Sequence, residues 1–261
     1  MRNTGIELSL NADAIRTKDF DWNISLNLAH NENEVTRLSN DVFTMDKILL
    51  GDVFIRGGSA SGTHVLEEGR PIGQFYGLVC NGIDENGRYI MVDKDGDGEI
   101  SDPADYDYIG SAQPKLTYGI TNTFRYKNFD LSFFLRGTIG NDILNATRMA
   151  YAQSGFLPGT NALDDPLTYT LSETPRFSNY YLEKGSFMRL DNLTLGYKIK
   201  ALNGIRVYFT AQNLFVITKY KGLDPEVPMD SGDGLTPGVE PREFYPKART
   251  FSAVSYTHLR A

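Results

Sequence analysis

Apolar and polar residues alternate along this chain in runs about ten residues long. In "GIELSLNADA", Ile6, Leu8, Leu10, Ala12 and Ala14 fall on one parity, with Glu7, Ser9, Asn11 and Asp13 on the other. In "FDWNISLNLA", Phe20, Trp22, Ile24, Leu26 and Leu28 oppose Asp21, Asn23, Ser25 and Asn27. The short polar stretch "IRTKD" between them predicts a β-hairpin, because a period of two puts alternate side chains on opposite faces of a strand. The pattern returns in "LTYGITNTFRYKNFDLSFFLRG", with Tyr118, Ile120, Phe124 and Tyr126 before the turn "KN" and Phe129, Leu131, Phe133 and Leu135 after it. A third pair lies around "KALNG": Phe187, Leu193, Leu195, Tyr197 and Ile199 share one parity, then Ile205, Val207, Phe209 and Ala211.

Long irregular stretches separate these hairpins, at 40–70, 93–115, 138–185 and 217–248. Tight turns alternating with long loops are the organisation of an outer-membrane barrel, whereas a soluble sandwich spaces its turns more evenly. The apolar parity also carries Phe, Tyr and Trp near strand ends, where interfacial girdles sit. The predicted fold class is all-β: an antiparallel transmembrane β-barrel, present in part, with long extracellular loops. A secreted, soluble β-sandwich that binds glycans with the help of a calcium loop is the alternative.

Composition narrows the function. The 261 residues include 15 Phe, 15 Tyr and 25 Gly, a mixture suited to strands and turns. A net charge of −7 without any Lys/Arg block excludes nucleic acid as a partner. Cys80 stands alone, so neither an intrachain disulfide nor a cysteine metal site can form. The N-terminus lacks a signal-peptide pattern and enters directly into a strand. No run approaches the roughly 18 apolar residues of a membrane helix, which leaves barrel strands open.

Catalytic chemistry finds no support. His30, His64 and His258 have no metal-spaced partners and read as solvated loop or strand residues. In "GGSASG", residues 57–62, the centre of the Gly-to-Gly pentapeptide is Ala60 rather than serine, and the stretch reads as a flexible loop. The protein is expected not to be an enzyme and to require no cofactor, with calcium as a possible ligand.

That ion is suggested by "DKDGDGEISDPAD", residues 93–105. Asp93, Asp95 and Asp97 occupy alternate positions of a turn that can bring their carboxylates inward, with glycine at the sixth position as in an EF-hand loop. Glu99 would offer its backbone carbonyl and Asp105 a closing carboxylate, while position 12 is Ala104 and no helix is predicted before the loop. Among the loop aromatics Tyr151, Phe156, Tyr169, Phe177, Tyr180 and Tyr181, the pair Tyr180 and Tyr181 is the candidate stacking surface for a ligand.

"FMRLDNLTLGYKI" followed by "IRVYFTAQNLFVITKYKGLDPEV" resembles the C-terminal barrel region of the SusC/RagA family of TonB-linked outer-membrane proteins. Upstream, "IGQFYGL", "DKDGDGEISDPADYDYIG", "AQPKLTYGI" and "FDLSFFLRGTIGNDILN" match further landmarks, so the resemblance runs from about residue 5 to about residue 252. It implies a barrel of about 22 strands closed by a plug. It also implies import of an oligosaccharide or peptide powered through TonB, a SusD-like lipoprotein over the mouth, contact with outer-membrane lipid and location in the cell outer membrane. On this reading residues 1–253 are the C-terminal part of such a barrel, the plug and TonB-contacting region lying before Met1. Residues 254–261, "VSYTHLRA", lack the terminal aromatic pattern and are expected to be a non-native tail.

Overall fold

The computed structural model describes residues 1–39, 42–56, 58–202, 205–226, 234–241 and 245–256. The chain opens with β1 (Arg2–Arg16) and β2 (Phe20–Glu34). An insertion comes next, with β3 (Lys47–Ile55), β4 (Gly58–Glu67), β5 (Gln74–Leu78), β6 (Cys80–Ile83), β7 (Tyr89–Met91) and β8 (Tyr106–Ser111). The hairpin β9 (Leu116–Tyr126) and β10 (Phe129–Ile139) leads to a second insertion with β11 (Asp142–Leu144), α1 (Ala146–Tyr151), α2 (Pro166–Thr170) and β12 (Leu182–Lys184). Then come β13 (Phe187–Ile199), β14 (Ile205–Thr218), a third insertion and β15 (Thr250–Tyr256).

One antiparallel sheet of seven strands, ordered β1-β2-β9-β10-β13-β14-β15, contains every strand that alternates in the sequence. Its turns β1–β2, β9–β10 and β13–β14 lie at one end, and all three insertions leave from the other. The β9–β10 turn needs only Lys127 and Asn128, with Lys127 left-handed at φ 53°. The register aligns like with like. Leu10, Leu26, Ile120, Leu135 and Leu190 are successive cross-strand partners, and Trp22, Phe124, Leu131, Leu195 and Phe209 form a second apolar row. Nearest the turns, Phe20, Tyr126, Phe129 and Tyr197 make an aromatic row, Phe129 and Tyr197 with ring centroids 4.5 Å apart.

This apolar face is open. Leu8 is 53% exposed, Leu195 46% and Phe209 42%. In a sandwich such a face is packed against a second sheet. Here the main buried cluster lies elsewhere, in Val53, Phe75, Leu144, Met149, Phe177, Tyr181 and neighbours, all supplied by the insertions. Burying a side chain such as Phe75 or Leu144 contributes about 2 kcal/mol, so the crown built by the insertions carries a core of its own. No helix among the described residues is long and apolar enough to cross a membrane, which says nothing about strands.

Four local expectations change. Residues 47–67 form a hairpin, not an irregular loop, and join β5 and β8 in a four-stranded sheet that includes most of "GGSASG". Burial of Gly62 to Leu66 on both faces erased the alternation there. His64 is fully enclosed rather than solvated, with Nε2 2.9 Å from the Pro237 carbonyl oxygen and the ring 4.5 Å from Phe75. A bulge between Asp13 and Ile15 removes Ala14 from the apolar parity and puts Ile15 opposite Trp22. Another around Asp191 turns Phe187 and Arg189 to the polar face and Leu190 to the apolar one. His258 and residues 257–261 of the doubtful tail lie outside the described residues; Val254, Ser255 and Tyr256 pair with β14.

Candidate functional site

The acidic stretch 93–105 links β7 to β8 on the crown. Gly96 and Gly98 take left-handed backbone angles, φ 78° and 90°, and allow the chain to coil around the Asp93 carboxylate. Asp93 accepts from the Gly96 amide at 2.6 Å and the Gly98 amide at 2.9 Å, Asp95 from Asp97 at 3.1 Å, and Asp97 from Glu99 at 2.8 Å. One carboxylate oxygen each from Asp93, Asp95 and Asp97 lies within 4.8 Å of the others. Oxygens sharing a calcium at 2.3–2.6 Å lie no more than about 5 Å apart, so these three fit one ion.

The Asp105 carboxylate does not join that trio. Asp105 is buried, and its oxygens accept from the amides of Lys94 at 2.5 Å, Ser101 at 2.8 Å and Asp95 at 3.4 Å. Those amides, Ser101 first and Lys94 next, hold its carboxyl below the usual range, with the Arg176 charge adding to the effect. Asp105 therefore braces the turn from behind, and the four carboxylates expected as ligands reduce to three.

The tyrosine pair divides. Tyr181 has 0% exposure and its hydroxyl meets that of Tyr89 at 2.6 Å, so it belongs to the crown core and cannot be an open stacking platform. Burial pushes both hydroxyls up, Tyr89 to about 12. Tyr180 is half-buried, edge-on to Tyr181 at 5.6 Å and with the Arg148 guanidinium 5.5 Å from its ring.

A charged cluster that sequence reading missed ties the crown to the sheet. Arg136 on β10 and Arg189 on β13 are direct cross-strand partners on the polar face. Arg136 donates to Glu226 at 2.6 Å and Asp191 at 3.1 Å, while Arg189 donates to Asp224 at 2.5 Å and lies 3.2 Å from Glu226. Lys247 closes the cluster on Glu226 at 2.5 Å. Arg189 is 1% and Asp224 4% exposed, so one ion pair is wholly enclosed. From the strap that follows β14, residues 219–226, the Leu223 amide donates to Glu240 at 3.1 Å, and Glu240 accepts the Thr147 amide at the start of α1. Only Arg136 stood on the polar parity of its strand in the sequence; Arg189 shares the parity of Leu193 and Leu195 and reaches the polar face through the bulge at Asp191.

The chain that builds this sheet and crown has counterparts among known proteins. TonB-dependent receptor SusC of Bacteroides thetaiotaomicron is 36% identical over 270 residues, covering 96% of this chain and 26% of that protein. TonB-dependent receptor P3 of Formosa agariphila is 32% identical over 298 residues, covering 97% of this chain and 28% of that one. The structure of the RagAB peptide transporter superposes with a TM-score of 0.74 at 26% identity, over 97% of this chain and 29% of the matched chain. The chain is homologous to the TonB-dependent receptors of the SusC/RagA type. It spans about a quarter of the length of the curated receptors it matches. No family model matches it. The seven-stranded sheet is accordingly part of a TonB-dependent receptor barrel, unclosed within this chain, and the soluble-sandwich alternative is set aside. The relatives are receptors and transporters, consistent with a protein that is not an enzyme.

Proposed function

We propose that this chain is the C-terminal part of the barrel of an outer-membrane, TonB-dependent transporter that imports an oligosaccharide or a peptide. The open apolar face of the seven-stranded sheet carries the reading: lipid is the surrounding that leaves Leu8, Leu195 and Phe209 without cost. The polar face then borders the lumen and the crown stands at the extracellular mouth, where a SusD-like lipoprotein would cap it. A plug and a TonB-contacting segment belong to the remaining length of such receptors. Function is gated passage rather than bond chemistry.

Two finer assignments accompany this reading. Calcium, held by Asp93, Asp95 and Asp97, would stiffen the acidic turn at the mouth. Tyr180 is the member of the tyrosine pair left to touch cargo, in a subsidiary role. Membrane fractionation of cells expressing the full-length receptor, with uptake measured in TonB-positive and TonB-negative strains, tests the main proposal. Outer-membrane recovery and TonB-dependent uptake are expected. Recovery in a soluble fraction would overturn it.

A further inference from the structure

We propose that the turn end of the apolar sheet face is a selective site for an anionic phospholipid, an inference that rests on reading that face as lipid-facing. Phe129, Tyr197 and Val207 of the row nearest the turns, with Leu195 and Phe209 of the next row, line a groove of about 460 Å³ there. All five side chains are exposed. Apart from Val254 and Ser255, the lining of the groove lies before the doubtful tail. An acyl chain gains little by leaving other tails for this groove, since the two surroundings are equally apolar. Selection falls to the headgroup.

The hairpin connections supply cations for it. Each carries one lysine: Lys18 between β1 and β2, Lys127 between β9 and β10, and Lys200 between β13 and β14. The Lys127 ammonium stands 5.3 Å from the centroid of the Tyr126 ring. Tyr126 belongs to the outward aromatic row, so this ammonium lies on the lipid side of its turn, in line with Phe129 of the groove. Lys200 directly follows Ile199, the end of the strand that carries Leu195 and Tyr197. The Lys198 amide donates to the Asn128 carbonyl at 2.9 Å and holds these two connections side by side.

The two ammonium groups are uncommitted. Near the turns the arginines are taken up, Arg125 by Asp21 at 2.8 Å and Arg206 by Asp130 at 3.1 Å, whereas Lys127 and Lys200 form no ion pair among the described residues. Asp19 is the only acid in the three connections. Lys198 stands on the inward face beside Arg206, away from the groove. Lysine stems lie along apolar surface while their ammonium groups reach the headgroup level. A phosphatidylglycerol headgroup brings them one negative charge, and a phosphatidylcholine headgroup adds a cation that they repel. Each lysine close to an anionic lipid favours it about fivefold, so the pair gives a preference of about thirtyfold.

The test places a bimane fluorophore at Leu131→Cys, the outward partner of Leu195, in the full-length receptor in nanodiscs, with the parent receptor's labelling subtracted. Spin-labelled phosphatidylglycerol and phosphatidylcholine of equal chain length then compete to quench it. Phosphatidylglycerol should win by about thirtyfold, and by no more than about twofold once Lys127→Gln and Lys200→Gln are combined. A bimane at Leu10→Cys, on the same face but distant from both lysines, should show no such preference, and millimolar inorganic phosphate should not relieve the quenching at Leu131→Cys. Parity at Leu131→Cys, a preference that survives the lysine double variant, an equal preference at Leu10→Cys, or displacement by inorganic phosphate overturns the lipid site and leaves the barrel reading standing. Quenching by neither lipid at either position would mean that the apolar face is not in lipid, and both proposals would fall.

Discussion

Removing the carboxylate of Asp224 isolates the effect of the enclosed ion pair beneath the crown. Arg189 would keep a nearly fully buried guanidinium, with Glu226 at 3.2 Å as its remaining anionic neighbour. Breaking a buried pair from one side costs about 3–5 kcal/mol, and the surviving neighbour argues for the lower end, about 3 kcal/mol. At 1.4 kcal/mol per factor of ten, local opening of the strap should become about a hundredfold more frequent in Asp224→Ala. Amide hydrogen exchange on the full-length receptor reads this directly. The Glu226 amide loses its acceptor in the variant and is uninformative. The amides of Lys221, donating to Glu183 at 2.7 Å, and Leu223, donating to Glu240, keep theirs. Their exchange should accelerate by about two orders of magnitude if the strap opens as a unit. Unchanged exchange at both, with folding intact, would show that Arg189 and Asp224 do not hold the strap, and the coupling of wall to crown would be wrong.

Other consequences are as open to measurement. Leu195→Arg, on the apolar face, should destabilise the receptor in lipid by about 2–4 kcal/mol, while Thr194→Arg on the inward face should cost far less; equal costs in denaturant titrations would contradict the assignment of faces. Asp95→Asn should abolish calcium binding at the acidic turn, read by isothermal titration of the full-length receptor, whereas Glu99→Gln should leave it in place; the reverse order would remove the three-carboxylate site. Burial acts to raise the Asp165 carboxyl, but the Leu167 amide at the α2 N-terminus and the Arg148 guanidinium outweigh it, leaving the folded value below the ordinary one. Its stabilisation is therefore complete above the unfolded carboxylate value of about 3.9 and is lost as pH falls through the lower folded value. In Asp165→Asn that contribution is absent at every pH, so the variant's stability should fall less steeply on acidification than wild type; identical acid limbs in denaturant titrations would show that the carboxylate contributes nothing.

The parts of the fold that were legible share one property. Each strand of the seven-stranded sheet presents apolar side chains on one face and polar ones on the other, so the two faces are written into the sequence with period two, as in Leu8 against Ser9 or Leu195 against Thr194. Where a segment is enclosed on both sides the signal vanishes: Gly62 to Leu66 of β4 read as loop for that reason, and so did His64. The acidic turn was legible because its glycines and alternate aspartates act within a dozen residues. The role of Asp105 was not, since three amides rather than a cation engage it. Tyr180 and Tyr181 are neighbours in sequence with unlike surroundings, and no local rule tells which of them faces inward.

Sequence alone determined the three hairpins of the sheet, the faces of their strands away from the bulges, the side of each hairpin that carries the turn and the family resemblance, because all of these depend on residues close together along the chain. Tertiary structure decided that the long stretches assemble into a crown with its own core, that bulges at Asp13 and Asp191 re-aim the side chains beyond them, and that Arg136 and Arg189 meet Asp224 and Glu226. Those contacts join residues tens of positions apart, and their energy depends on enclosure, which no single stretch of sequence contains.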